Sequence, residues 1–164
     1  MKTKKIVMAA LLAALACVAT IVIKIPTPLK GYFNLGDCVV LISGWMLSPA
    51  YGFLAAAIGS ALADVFLGYV SYAPATFIIK GIMALCAGAC CRAMSKNGKS
   101  ILSLAVSGLA AEIIMVGGYL LFESFLYGFV PSLVNVPANG FQGLMGLILG
   151  TVLMKIFEKG NIKF

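Results

Sequence analysis

Asp64 and Lys80 stand in the stretch ALADVFLGYVSYAPATFIIKGIMAL, residues 61–85, where nearly every neighbour is apolar. Glu112 interrupts a second apolar run, and three amides, Asn135, Asn139 and Gln142, cluster ahead of or within a third. Tyr69, Tyr72 and Tyr119 are interspersed among the same runs. An acid and a base held in oil have three uses: neutralising one another, acid–base work, or lining a wet pocket for a polar solute. A side-chain amide both donates and accepts, which suits a polar heterocycle. Tyrosine stacks on such a ring, and it also anchors helices at a membrane interface. From residue types alone, Asp64 and Lys80 fit an ion pair fixing two helices or a pocket lining, and Glu112 fits a ligand contact or an internal hydrogen bond.

Other chemistries lack their residues. The chain has no His and no HExxH, and its five cysteines do not form paired CxxC motifs, so neither a zinc site nor a Cys/His nucleophile is encoded. Cysteine then reads as a small buried hydrophobe. No GxxxxGK[ST] loop is present to cradle ATP phosphates, and no cofactor motif is found.

The elements that must position these groups follow from composition. Of 164 residues, 62% are hydrophobic and only 10% charged, against about a quarter charged in a soluble domain. This predicts an all-α polytopic membrane bundle, one membrane-embedded domain over residues 1–164, in the lipid bilayer. The alternation of a membrane barrel is absent. The predicted spans are Lys5–Ile23, a short one from Asp37 to Ser48-Pro49, Tyr51–Tyr69, Pro74–Met94, Ile101–Phe122 and Ala138–Phe157. KIPTPLKGYFNLGD, residues 24–37, reads as an irregular loop on its prolines and glycines; ESFLYGFVPSLVNVP, 123–137, reads as an unusually apolar loop. The opening MKTKKIVMAALLAALACVAT has some look of a signal or lipoprotein leader, but its apolar run is long enough to span, so it reads as the first helix.

The formal net charge of +7 raises the question of nucleic acid. Its distribution answers no: Lys2, Lys4 and Lys5 precede span 1, Arg92, Lys96 and Lys99 sit about the 4–5 connection, and Lys155, Lys159 and Lys163 close the chain. Clusters beside apolar spans mark the cytoplasmic face. Six spans put both termini there, with Lys24, Lys30 and Glu123 outside. Asp64 then lies roughly 20 Å up its helix and Lys80 roughly 9 Å down the next, at a shared depth in the outer half. The inner half is Ala, Leu, Gly and Ile with no polar path, which argues against a channel. The reading is a cup open to the outside on a chain that needs help to release inward. Trp45 reads as packing or interface. Small residues at helical spacing (Ala55, Gly59, Ala63; Gly146, Gly150) read as packing within the bundle; on span 1, Ala9, Ala10, Ala13 and Ala14 leave enough small surface for a docking face toward a partner.

With the residues laid out, the chain resembles the substrate-binding S components of energy-coupling factor (ECF) vitamin transporters. The resemblance lies in IPTP at 25–28, GYFNLGD at 31–37, IGSALADVFLGY at 58–69, YAPATFIIKG at 72–81 and NVPANGFQG at 135–143. It is nearest the branch of riboflavin, hydroxymethylpyrimidine and pyridoxine carriers. It implies a six-helix bundle that captures a vitamin from outside without catalysing a reaction. It implies a lid from the loop between helices 1 and 2, with Tyr32, Phe33 and Asn34 as lid residues. It also implies partners: a membrane scaffold subunit, docked through the small residues of helix 1, and two cytosolic ATPases. Asp64, Tyr72, Lys80, Glu112, Tyr119, Asn135, Asn139 and Gln142 are the remaining candidate binding residues.

Overall fold

The computed structural model describes residues 2–27, 31–95 and 100–160. Pro28, Lys30, Lys96, Lys99 and Lys163, used in the reading above, lie outside the described residues, as does the side chain of Lys2. The helices are α1 (Lys2–Val22), α2 (Gly36–Met46), α3 (Pro49–Phe66), α4 (Ala73–Met94), α5 (Ile101–Tyr127), the short α6 (Phe129–Ser132) and α7 (Val136–Lys159). Among the described residues, five segments are long and apolar enough to cross a membrane: Thr3–Val22, Pro49–Phe66, Ala73–Met94, Ile101–Tyr127 and Phe129–Lys159.

The remaining helix, α2, has only 11 residues, about 16 Å of helix, or roughly half a hydrocarbon core. Every residue from Gly36 to Trp45 is buried, and α2 packs against α1, α3, α4 and α7. It is a central post wrapped by protein, which explains how it can be short. Backbone polar groups inside a helix are satisfied locally, and its ends meet protein partners instead of lipid. At its C-terminal end Arg92 Nη1 donates to the Leu47 carbonyl at 3.4 Å, a cation where the helix carbonyls converge.

Small residues let α4 lie against this post. A Cβ on Gly44 would stand 2.2 Å from the Ala84 carbonyl oxygen, and one on Gly88 would stand 2.3 Å from the Gly44 oxygen. Backbones in such contact fix the register of α4 on α2, and that register carries Lys80 to the start of α2. Away from the hairpin the interior is mostly apolar: Leu41, Ile42, Met83, Ala87, Leu104 and Met115 are fully buried, with the hydrogen-bonded serines Ser43, Ser103 and Ser107 among them. Trp45 belongs to this core and donates Nε1–H to Ser107 Oγ at 3.0 Å.

Two segments read as loops are ordered differently. Within 24–37, β1 (Lys24–Pro26) pairs antiparallel with β2 (Tyr32–Asn34), Ile25 opposite Phe33. Pro26 sits at the strand end, where its missing N–H costs no ladder bond. Residues 123–137 are mostly helical: α5 runs on to Tyr127, Gly128 turns the chain at φ +92°, and α6 and a 3₁₀ turn, Leu133–Asn135, lead into α7. Only glycine takes that φ without strain, while Pro131 and Pro137 fall early in α6 and α7, where proline is tolerated.

Candidate functional site

The hairpin lies over the end of the bundle where α1, α3 and α5 finish and α2, α4 and α7 begin. Under it is a buried cavity lined by Thr20 of α1, Gly31, Tyr32 and Asn34 of the hairpin segment, Ser60 and Asp64 of α3, Tyr72, Thr76 and Lys80 at the start of α4, Tyr119 and Glu123 of α5, and Asn139 and Gln142 of α7. The free space within it is about 30 Å³, room for about two waters. Its roof is aromatic. Tyr32 and Tyr69 rings lie 4.8 Å apart, Tyr69 meets Tyr72 at 6.4 Å, and Tyr72 meets Phe122 at 5.2 Å.

Of the two readings open for Asp64 and Lys80, the mutual ion pair is not formed, while both residues line the cavity. Lys80 Nζ donates to Asp37 Oδ1 in a fully buried salt bridge. Asp64 instead accepts from the Tyr32 hydroxyl. The reason is helix adjacency: equal depth put Asp64 and Lys80 level, but the close α2–α4 contact aims Lys80 at the first turn of α2, where Asp37 also complements the helix N-terminus. Lys80 in addition lies over the Tyr119 ring, 5.4 Å from its centroid, and Tyr119 Oη shares a 3.0 Å hydrogen bond with Thr76 Oγ1. Burial, then the neighbouring Asp64 carboxylate, pushes the Tyr32 hydroxyl far above the ordinary phenol range, so it remains a donor at any physiological pH.

A single chain of bonds joins roof to floor. Gln142 Nε2 donates to Asp37 Oδ2 at 2.7 Å. Gln142 Oε1 accepts from the Asn34 backbone N–H at 2.9 Å and from Asn34 Nδ2 at 3.2 Å. Asn34 Oδ1 in turn accepts from Gly36 N–H at 2.8 Å, closing the turn into α2. Gln142→Leu therefore strands buried groups on both the hairpin and Asp37. Losing one such bond costs about 1–3 kcal/mol, so bound ligand is expected to dissociate roughly ten- to a hundredfold faster. Stopped-flow dissociation, with hydrogen exchange at residues 31–34, measures this; an unchanged off-rate and unchanged exchange would remove Gln142 from any latch.

Of the candidate residues, Tyr32, Asn34, Asp64, Tyr72, Lys80, Tyr119, Asn139 and Gln142 line the cavity. Phe33, Glu112 and Asn135 are elsewhere. Phe33 points to the outer side of the hairpin and packs on Phe141, rings 5.6 Å apart. Glu112 is buried between α5 and α7, with neither carboxylate oxygen hydrogen-bonded. Positions Gly143 and Gly146 make room for it: added Cβ atoms would lie 3.0 and 3.2 Å from its oxygens. Asn135 stands one step back and donates Nδ2–H to Glu123 Oε1 at 2.9 Å. Sequence reasoning missed Thr20, Ser60, Thr76 and Glu123 in the lining and Asp37 in the network. The sequence marks Asp37 only as the start of the short second span and Glu123 only as an exterior charge. On α1, Ala9 and Ala13 are half-buried while Ala10 and Ala14 are exposed. All four line an apolar groove between α1 and α3, where the two backbones touch: a Cβ on Gly59 would meet the Ala13 carbonyl at 2.3 Å.

A helical membrane bundle enclosing a lidded polar cavity, with an apolar plug beneath, is an integral-membrane binding protein. Comparison with known proteins names the family. A family model for the S component of ECF-type riboflavin transporters matches residues 1–159, and the chain belongs to that family. An uncharacterized protein of Pyrococcus woesei, in the gap 3′ region, is 33% identical over 143 residues, covering 87% of this chain and 93% of that protein. Two solved structures share the fold. One is the S component of a bacterial ECF transporter, with TM-score 0.72 and 20% identity over 97% of this chain and 98% of that one. The other is the S component for biotin from an ECF-type ABC transporter, with TM-score 0.60 and 19% identity over 94% and 92%. The protein is thus a multi-pass membrane subunit that binds a substrate and is not an enzyme.

Proposed function

We propose that this chain, as one membrane-embedded domain over its whole length, captures a flat, water-soluble vitamin or vitamin precursor from outside the cell. It then delivers it inward with a separate ATP-driven module. The ligand class is the riboflavin, hydroxymethylpyrimidine and pyridoxine group. The carrying observation is the cavity under the hairpin, where tyrosine rings offer stacking faces and several buried polar atoms are unpaired. The face away from the hairpin carries Lys4, Lys5, Arg92, Lys155 and Lys159, which supports placing it in the cytoplasm and the hairpin outside.

Ligand pockets commonly measure about 300–1,000 Å³, an order of magnitude above the enclosed volume here. Entry therefore requires the hairpin to lift and the Tyr32–Asp64 bond to open, while the Lys80–Asp37 pair stays as the floor. The apolar packing around Leu41, Met83 and Met115 blocks onward passage, so release depends on partners: a membrane scaffold subunit and two ATPases. Ala10 and Ala14 on the exposed side of α1 give that scaffold a surface for close helix approach.

The test is binding by the purified chain in detergent to riboflavin, hydroxymethylpyrimidine and pyridoxine, with mass spectrometry of whatever co-purifies. One-to-one binding of at least one, without ATP, is expected. No binding across the set and no co-purifying heterocycle would reject the reading.

A further inference from the structure

Glu123, at the hairpin end of α5, is 2% exposed. Its Oε1 accepts from Asn135 Nδ2 at 2.9 Å and from the Tyr72 hydroxyl at 3.4 Å. Its Oε2 is buried without a hydrogen-bond partner, and so are Asn135 Oδ1 beside it and Thr27 Oγ1 on the hairpin segment. Glu123 lines the cavity together with Gly31, and Thr27, Asn135 and Glu123 all stand beside Gly31. A Cβ on Gly31 would lie 2.7 Å from Thr27 Oγ1, 3.4 Å from Asn135 Nδ2 and 3.6 Å from Glu123 Oε1. Elsewhere in the lining, Asp64 Oδ2 and Ser60 Oγ are likewise unpartnered.

The chemistry of this set is one-sided. Carboxylate and amide oxygens only accept, and hydroxyls do either. Among the described residues that line the cavity, Lys80 is the only cation, and Asp37 already holds it. Acceptors buried without partners are satisfied by a ligand that brings O–H or N–H groups. A phosphate ester brings charge of the same sign as Glu123 and Asp64, and further acceptors, into a site of low dielectric.

We infer that Glu123 is a specificity-determining residue: its free oxygen accepts a proton-bearing hydroxyl or amino group of the ligand, and it rejects the phosphate ester of the same compound. The inference rests on the proposed reading that this cavity holds a vitamin-type heterocycle. Phosphorylation of such a ligand after entry, by some other protein, would then prevent rebinding.

The experiment uses the full chain in detergent and titration calorimetry with three matched pairs: riboflavin and its 5′-phosphate, pyridoxine and its 5′-phosphate, hydroxymethylpyrimidine and its monophosphate. The wild-type protein is expected to favour the alcohol that it binds by about a hundredfold over its ester. Glu123→Gln keeps an oxygen for Asn135 and replaces the other with a donor. It is expected to weaken the alcohol about tenfold or more and to shrink the ratio. Equal affinity for alcohol and ester in the wild type, or an unchanged ratio in Glu123→Gln, overturns the assignment while leaving the vitamin reading in place. Failure of every probe to bind overturns that reading and this inference together. The wild-type ratio decides even where the variant does not fold.

Discussion

Tryptophan at position 14, or at position 10, is expected to reduce vitamin uptake by cells carrying the whole transporter to background while leaving ligand capture by the isolated chain intact. Both alanines are exposed on the side of α1 that opens into the groove with α3. Between helices in lipid, both surroundings are equally apolar, so close approach at small side chains supplies much of the attraction. An indole on such a face holds a docked helix away without touching the cavity, whose lining on α1 begins only at Thr20. Position 13 is a poorer choice. Ala13 is half-buried and its carbonyl lies against Gly59, so a large side chain there also strains the α1–α3 contact. Uptake assayed beside equilibrium binding separates the two effects. Normal uptake in both Ala10→Trp and Ala14→Trp would show that the scaffold docks elsewhere.

The second large effect belongs to the floor of the cavity. Asp37→Asn and Lys80→Met are each expected to cost about 3–5 kcal/mol of stability, because each leaves a buried charge without its counter-ion. The arrangement around Gly146 sharpens this. A Cβ there would touch Asp37 Cβ at 2.7 Å and Glu112 Oε1 at 3.2 Å, so Asp37 and Glu112 flank one glycine. Without Lys80 the two acids share a low-dielectric space with no salt-bridge partner among the described residues. The double variant Asp37→Asn with Lys80→Met removes both partners and is expected to recover most of the loss, since an ion pair and an uncharged substitute often have similar stability. Unfolding of the four proteins in mixed micelles gives the double-mutant cycle. Simple additivity of the two single effects would contradict direct pairing. Asp64→Asn, whose carboxylate accepts from a tyrosine hydroxyl and forms no salt bridge among the described residues, is expected to be much milder.

Glu112 shows why depth alone was a poor guide. It sits in the interior as its polarity demands, but toward α7 and the start of α2 and not toward the cavity. Span limits fix how far up each helix a residue lies but not which way it points. In a soluble protein the apolar stripe of a helix reveals its inward face. Here lipid is as apolar as the core, so leucine and isoleucine mark neither side. Only the polar residues and the close-packed glycines carry a direction, and the glycines reveal it only once the neighbouring helix is known.

The membrane class, the apolar spans with most of their limits and the separation of a polar end from a greasy end were legible in the chain by itself, though the helical run through residues 123–137 was not. Bilayer thickness sets the length of an apolar run, and Gly, Pro and Lys punctuate it whatever the neighbours are. The tertiary structure alone decided that α2 is a buried post, that Lys24–Pro26 pairs with Tyr32–Asn34, and that Lys80 belongs to Asp37 while Tyr32 belongs to Asp64. Those facts depend on which helices touch and how each is rotated. These are long-range choices made by side-chain packing, and in an apolar solvent the one-dimensional pattern does not encode them.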